Sequence, residues 1–302
     1  MSGVEHPEAS WVQVNLAPQP RSWPRLYEWL AGTARDLLDG HTARAFFFMH
    51  KQPGLRVRFQ ADRMTGTVLL QAELLDRIKE FGGLAGPPVC TVYEPESYLF
   101  GGPGSMPWVH ELFTADSLAW LGHHTRRPGE GDRNAAADWR FSLALLRDMF
   151  EGLGIVGWEH RGVWDAVRTD TGRRLPGGLR DAALRRAAEG IRAHWEQPRE
   201  QLLAGLPGMS HADQERHCEA VRLAANRWRT GYFESGYAVR GPRRAAAHAV
   251  IFHWNRARLS HARQSLIAEA LFSDGTVGGT ADGTAGGVPD GTAGGADNGA
   301  VA

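Results

Sequence analysis

Arg56 and Arg58 stand two residues apart in Leu55-Arg56-Val57-Arg58-Phe59-Gln60, a run that alternates strictly between apolar and polar side chains. That period marks a strand with one buried face, so the two guanidiniums share the other face. Like charges held side by side repel and lose hydration. A site for anionic or carbonyl oxygens would explain the pair, and a solvated strand face is the alternative. Glu94 and Glu96 flank Pro95 just after a second β-rich run. They are placed either as charge partners and acid–base groups or as a plain surface turn. Tyr232, Ser235 and Tyr237 bring two phenols and a hydroxyl close to Glu234. Such groups move protons without carrying charge, which suits chemistry on amides; an aromatic loop packing its rings between helices is the bland reading. His253 and Arg256 are three residues apart in a helical pattern and share a face, with Asn255 beside them. A lone histidine in such a helix is usually a structural residue.

The elements that must carry these side chains fall into two groups. Trp11 to Leu16, Ala45 to Met49, Leu55 to Gln60 and Val89 to Tyr93 read as strands, with Lys51-Gln52-Pro53-Gly54 as the turn of a hairpin. Helical spacing is found over 23–38 and 69–81, and then almost continuously over 106–121, 135–153, 179–203, 211–229 and 243–271. Strands in the first third and helices afterwards predict an α+β fold, an N-terminal antiparallel sheet with helices followed by a largely helical region. One domain is expected over 1–272. From Ser273 onward Asp-Gly-Thr recurs at Asp274, Asp282 and Asp290 among Gly and Ala, a composition that predicts a disordered tail over 273–302.

Composition excludes several classes. Lys plus Arg and Asp plus Glu both number 34, so the whole-chain charge gives no footing for nucleic acid. The two cysteines, Cys90 and Cys218, stand in neither a C-x-x-C nor a Cys/His ligand spacing, which predicts neither a disulfide framework nor a metal site. No signal peptide and no membrane-length apolar run is present, so a soluble, cytoplasmic protein is expected. Walker, strand-anchored G-x-G-x-x-G, H-E-x-x-H and G-x-S-x-G patterns are missing. Gly101-Gly102-Pro103-Gly104 is followed by no Lys-Ser/Thr and is not read as a phosphate loop.

Phe46-Phe47-Phe48 followed by Gly54-Leu55-Arg56-Val57-Arg58-Phe59 resembles the "WFF…HLRLRF" block of the C-terminal elimination domain of lantibiotic dehydratases. Tyr93-Glu94-Pro95-Glu96, with Leu99-Phe100-Gly101-Gly102 after it, resembles the family's "YEPE…RYGG" block. His110-Glu111-Leu112-Phe113-Thr114-Ala115-Asp116-Ser117 and His253-Trp254-Asn255-Arg256 resemble its "AE.LF..DS" and "H..NR" blocks. The blocks run in family order over roughly residues 10 to 270. Stand-alone copies of the domain are typical of thiopeptide pathways.

The resemblance implies that Arg56, Arg58 and His253 match residues used to expel glutamate from glutamylated Ser or Thr. The "RYGG" arginine has no counterpart, because Leu99 stands there. An apolar side chain cannot pair with a departing carboxylate, which points to the other stand-alone branch, the pyridine synthases. In that branch two dehydroalanines of a ribosomal precursor peptide join in a formal [4+2] aza-cycloaddition, and water and the leader peptide are lost. On this reading Tyr232, Ser235, Tyr237, His253 and Glu96 move protons, while Arg56, Arg58, Glu94, Asn255 and Arg256 bind the peptide. No cofactor and no metal are implied. An acidic leader would find Arg180, Arg185, Arg186, Arg192 and Arg199 on one basic stretch, which is otherwise a solvated helix face. Two other roles stay open: the glutamate-eliminating half of a split dehydratase, and a non-catalytic scaffold for the precursor.

Overall fold

Alternating side chains build the sheet on which the site rests. A computed structural model describes residues 10–126, 132–204, 206 and 209–273 of the protein. Strands β1 (Trp11–Leu16), β2 (Ala43–Lys51), β3 (Gly54–Ala61) and β4 (Val89–Thr91) form one antiparallel sheet in the order β2-β3-β1-β4. Register sets the faces. Arg58 stands opposite Gln13 on one side and Phe47 on the other, and Arg56 opposite Asn15 and Met49. These residues therefore share one face, while Val14, Val57 and Phe48 point into the core on the other. Gly54 is required where β3 begins, since a Cβ there would lie 2.0 Å from the Leu16 carbonyl oxygen.

Helices α1 (Trp23–Asp39) and α2 (Gly66–Phe81) follow β1 and β3 and bury Leu26, Leu30 and Leu37, and Leu70, Leu74 and Ile78. Helix α3 (Met106–Thr125) runs along the free edge of β2. Its Thr114 and Ser117 hydroxyls accept from the Phe46 and Phe48 backbone N–H groups at 3.1 and 3.4 Å, which satisfies donors an edge strand would leave open. The remaining helices are α4 (Asp132–Gly152), α5 (His160–Asp170), α6 (Ala182–Glu196), α7 (Arg199–Leu203), α8 (His211–Trp228), α9 (Pro242–Ala257) and α10 (His261–Phe272). The architecture is α+β, sheet first and helices after.

Three elements differ from the sequence expectation. The pattern over 179–203 divides at Pro198, which cannot continue α6. The pattern over 243–271 divides at Arg258, which takes a left-handed conformation with φ 58° and ends α9; Ser260 then accepts from the Arg263 N–H as α10 starts. Helix α5 was not expected at all; its buried face is only Val163, Trp164, Ala166 and Val167. The chain separates into a unit of Met1–Phe272 and a segment of Ser273–Ala302. The expected tail from Asp274 onward lies outside the described residues.

Candidate functional site

The polar sheet face carries a buried cation. Arg58 is 7% exposed, and its Nε donates to the Gln13 side-chain oxygen at 2.5 Å. Its guanidinium lies 4.9 Å from the Phe47 ring and 5.0 Å from the Tyr93 ring, within cation–π reach of both. Its Nη1 is buried with no hydrogen-bond partner. Burial, chiefly, lowers the Arg58 pKa to about 10; Arg56 and Arg256 add repulsion, and Tyr93 and Glu96 pull the other way. The group is still a cation near neutral pH. A buried N–H without an acceptor costs free energy that a substrate oxygen would recover.

In front of Arg58 is a cavity of about 340 Å³. Lys51, Arg56 and Arg58 supply positive charge, Glu94 and Glu96 negative charge, and Asn255 an amide. Phe100, Phe113, Ile251 and Phe252 make the apolar wall. A second cavity of about 920 Å³ lies across the loop that follows β4. Side chains alternate along this divider from Glu94 onward: Glu94 and Glu96, with Tyr93 before them, face the smaller cavity, and Pro95 and Ser97 the larger. Met106 lines both.

Of the residues singled out in the sequence, the cavity brings together Arg56, Arg58, Glu94, Glu96 and Asn255. The other five lie elsewhere. Tyr232 is on a π-helical turn, Arg229–Phe233, that prolongs α8. Its hydroxyl donates to the Gly101 carbonyl at 2.7 Å and accepts from the Val239 N–H at 3.2 Å. Gly101 has φ 98°, and a Cβ there would lie 2.3 Å from that hydroxyl. Ser235 Oγ donates to the Tyr232 carbonyl at 2.6 Å. Tyr237 is 86% exposed. The structure thus gives Tyr232 and Ser235 structural partners and leaves Tyr237 at the surface, because the turn folds onto itself and onto Gly101.

His253 and Arg256 are buried behind the apolar wall. The two oxygens of Asp116 meet His253 Nδ1 at 2.7 Å and Arg256 Nη1 at 2.8 Å. Ser142 Oγ lies 2.8 Å from His253 Nε2, and the Trp120 indole nitrogen 3.2 Å from His253 Nδ1. Burial alone would raise the Asp116 carboxyl, but attraction and hydrogen bonds from His253 and Arg256 hold it below the usual carboxylate range. Arg256 lies 4.5 Å from the Phe113 ring and 5.8 Å from the Phe47 ring, so Phe47 is within reach of both its guanidinium and that of Arg58. Its Nε and Nη2 have no partner.

Sequence reasoning missed three residues at the site. Lys51 follows Phe47 and Met49 at two-residue spacing, so strand pairing would have put it beside Arg56. Tyr93 and His110 meet across the divider, Tyr93 Oη to His110 Nε2 at 2.8 Å, and only the folded structure joins them. Elsewhere, the basic stretch is largely engaged. Arg185 donates to the Arg180 carbonyl, Arg192 to the Ala270 carbonyl at 3.3 Å, and Arg199 to Asp148 at 3.1 Å. Among the described residues, no cluster of His, Cys, Asp and Glu could hold a metal, and no helix is long and apolar enough to cross a membrane.

Cations that grip carbonyl or carboxylate oxygens, next to carboxylates that take protons, can stabilise an enolate or iminol in a peptide. Comparison with known proteins bears on the family and the fold. The family model for the lantibiotic biosynthesis dehydratase C-terminal region matches residues 11–274. Among solved structures, the crystal structure of the tRNA-dependent lantibiotic dehydratase MibB from Microbispora sp. 107891 is similar, with a TM-score of 0.56 and 19% identity. The match covers 88% of this chain and 28% of that one, so the chain spans less than a third of the solved protein. No curated protein matches it in sequence.

Proposed function

We propose, from the premise that this chain belongs to the lantibiotic biosynthesis dehydratase C-terminal family, that it is an enzyme closing a pyridine ring in a dehydrated ribosomal precursor peptide. One observation carries the reading: Arg58, a buried cation whose Nη1 has no partner, lines a cavity where Arg56, Glu94, Glu96 and Asn255 converge. A polarised amide oxygen is the acceptor that this N–H lacks. Polarising it favours the iminol form, which acts as the aza-diene toward the second dehydroalanine. Holding two distant dehydroalanines together supplies most of the remaining barrier reduction, through lost translational and rotational freedom settled on binding. Leu99 supports the reading further, since it stands where elimination enzymes carry arginine and does not line the cavity.

Lys51 favours a second reading. It places a third cation at the cavity, from the β2 end instead of the "RYGG" block, and so could receive a departing glutamate carboxylate. Mass spectrometry separates the two. Incubation with a dehydrated, azole-bearing precursor should give a macrocycle with loss of water and of the leader amide. Glutamate release from a glutamylated precursor, with the dehydrated peptide unchanged, would replace the cyclase by the elimination subunit. Binding without any change in mass would leave a scaffold.

A further inference from the structure

Tyr93 brings to the cavity a phenol, a group that is neutral before it gives its proton. It lines the cavity beside Arg58, Glu94 and Glu96, and its hydroxyl lies 2.8 Å from His110 Nε2. His110 faces the larger cavity on the other side of the divider. Trp11 fixes both rings, with centroids 5.0 Å from Tyr93 and 4.4 Å from His110.

Electrostatics give the pair a direction. The imidazole is kept neutral: burial above all, then the charges of Arg44 and Arg58, depress its pKa to about 3. Taking the phenol's proton would therefore be costly for His110. Negative charge on the Tyr93 oxygen, by contrast, is attracted by the guanidiniums of both Arg58 and Arg256. Glu96, which also faces Arg58, is the nearby charge of opposite effect. A structural tyrosine–histidine contact would need neither guanidinium.

We infer that Tyr93 is the general acid of this site and that His110 is its positioning residue, donating from Nε2 to the phenol oxygen and steadying the phenolate. The inference rests on the cyclase reading for its substrate. In the dehydration step the ring C–O bond breaks with its electron pair moving to oxygen. The Tyr93 hydroxyl supplies the proton that completes a water molecule, and the phenolate then takes the ring proton lost in the same step. Atoms balance and Tyr93 is restored.

The test uses the full chain with both peptides, dehydrated and glutamylated, and follows whichever the wild type converts. Tyr93→Phe should lower kcat by about 100-fold or more, the usual scale of general acid catalysis, while peptide KM stays near wild type and the melting temperature falls only as far as the lost bond to His110 requires. The alkaline limb of the kcat profile should vanish in that variant. In His110→Phe, which removes the donor but keeps an aromatic ring, the limb should move to higher pH. Should Tyr93→Phe fail to fold, the limb in wild type and its movement in His110→Phe carry the test. Conversion of the dehydrated peptide by wild type and Tyr93→Phe at equal rates, or an unmoved limb in His110→Phe, overturns the inference and leaves the cyclase reading standing. Conversion of the glutamylated peptide alone overturns the cyclase reading, and the same variants then decide Tyr93. Conversion of neither peptide overturns both.

Discussion

Arg58 Nε donates to the side-chain oxygen of Gln13 across adjacent strands at 2.5 Å, so a hydrogen bond aims the free end of the guanidinium. Gln13 is held in turn by its amide, which donates to the Thr91 hydroxyl and to the Val92 carbonyl at 3.3 Å. Three strands thus fix one cation whose Nη1 is buried without a partner.

An aimed but unsatisfied donor predicts a conflict between stability and activity. Arg58→Met keeps the packing against Phe47 and Tyr93 and removes a buried unpaired N–H, which costs roughly 1–3 kcal/mol in such positions. The melting temperature should hold or rise while turnover falls at least ~100-fold. Calorimetry and the mass assay on one sample check both halves.

Tyr232 and Tyr237 should part company. Tyr232→Phe loses the bond that ties α8 to Gly101, and should cost about 1 kcal/mol of stability. Tyr237→Phe, at an exposed position, should change neither melting temperature nor kcat. A fall in kcat for Tyr237→Phe would return that phenol to the mechanism.

Lys51→Ala distinguishes the two chemistries. If the cavity closes a ring, loss of this rim cation should change kcat by less than about tenfold, because Arg58 still polarises the amide. Release of glutamate from a glutamylated peptide would instead fall by orders of magnitude. Parallel assays on the two peptides decide it.

Stability should fall in acid for a reason that can be assigned. The His110 pKa is lowered in the folded state from 6.5 to about 3, so the unfolded chain binds the proton first. Its contribution is therefore complete above pH 6.5 and is lost as pH falls toward 3, by at most about 1.4 kcal/mol per pH unit. The Asp116 carboxyl, held below its ordinary value, adds a loss of the same sign at lower pH, as protonation breaks its bonds to His253 and Arg256. Denaturant titrations should show a shallower decline below pH 6.5 in His110→Phe. Asp116→Ala should cost about 3–5 kcal/mol at neutral pH, since it leaves Arg256 buried without its counter-charge.

What was legible in the sequence was local. Period-two alternation in Leu55 to Gln60 put Arg56 and Arg58 on one face, and the register against β1 and β2 shows why that face is polar. Glu94 and Glu96 were legible because an extended segment sends alternate side chains to one side. What was not legible depended on distance. The bond from the Tyr232 hydroxyl to the Gly101 carbonyl joins residues 131 apart in sequence. The partnership of Tyr93 with His110 exists only because α3 packs against the divider. The break at Arg258 escaped helical spacing because a non-glycine residue takes the left-handed cap, with its guanidinium 4.9 Å from the Trp23 ring.

The most direct measurement is a crystal structure of the Tyr93→Phe variant with a dehydrated precursor peptide bound. A peptide carbonyl oxygen should lie within about 3 Å of Arg58 Nη1, with the dehydroalanines between Arg56 and Glu96. A peptide bound elsewhere, with that Nη1 still lacking an acceptor, would contradict the account.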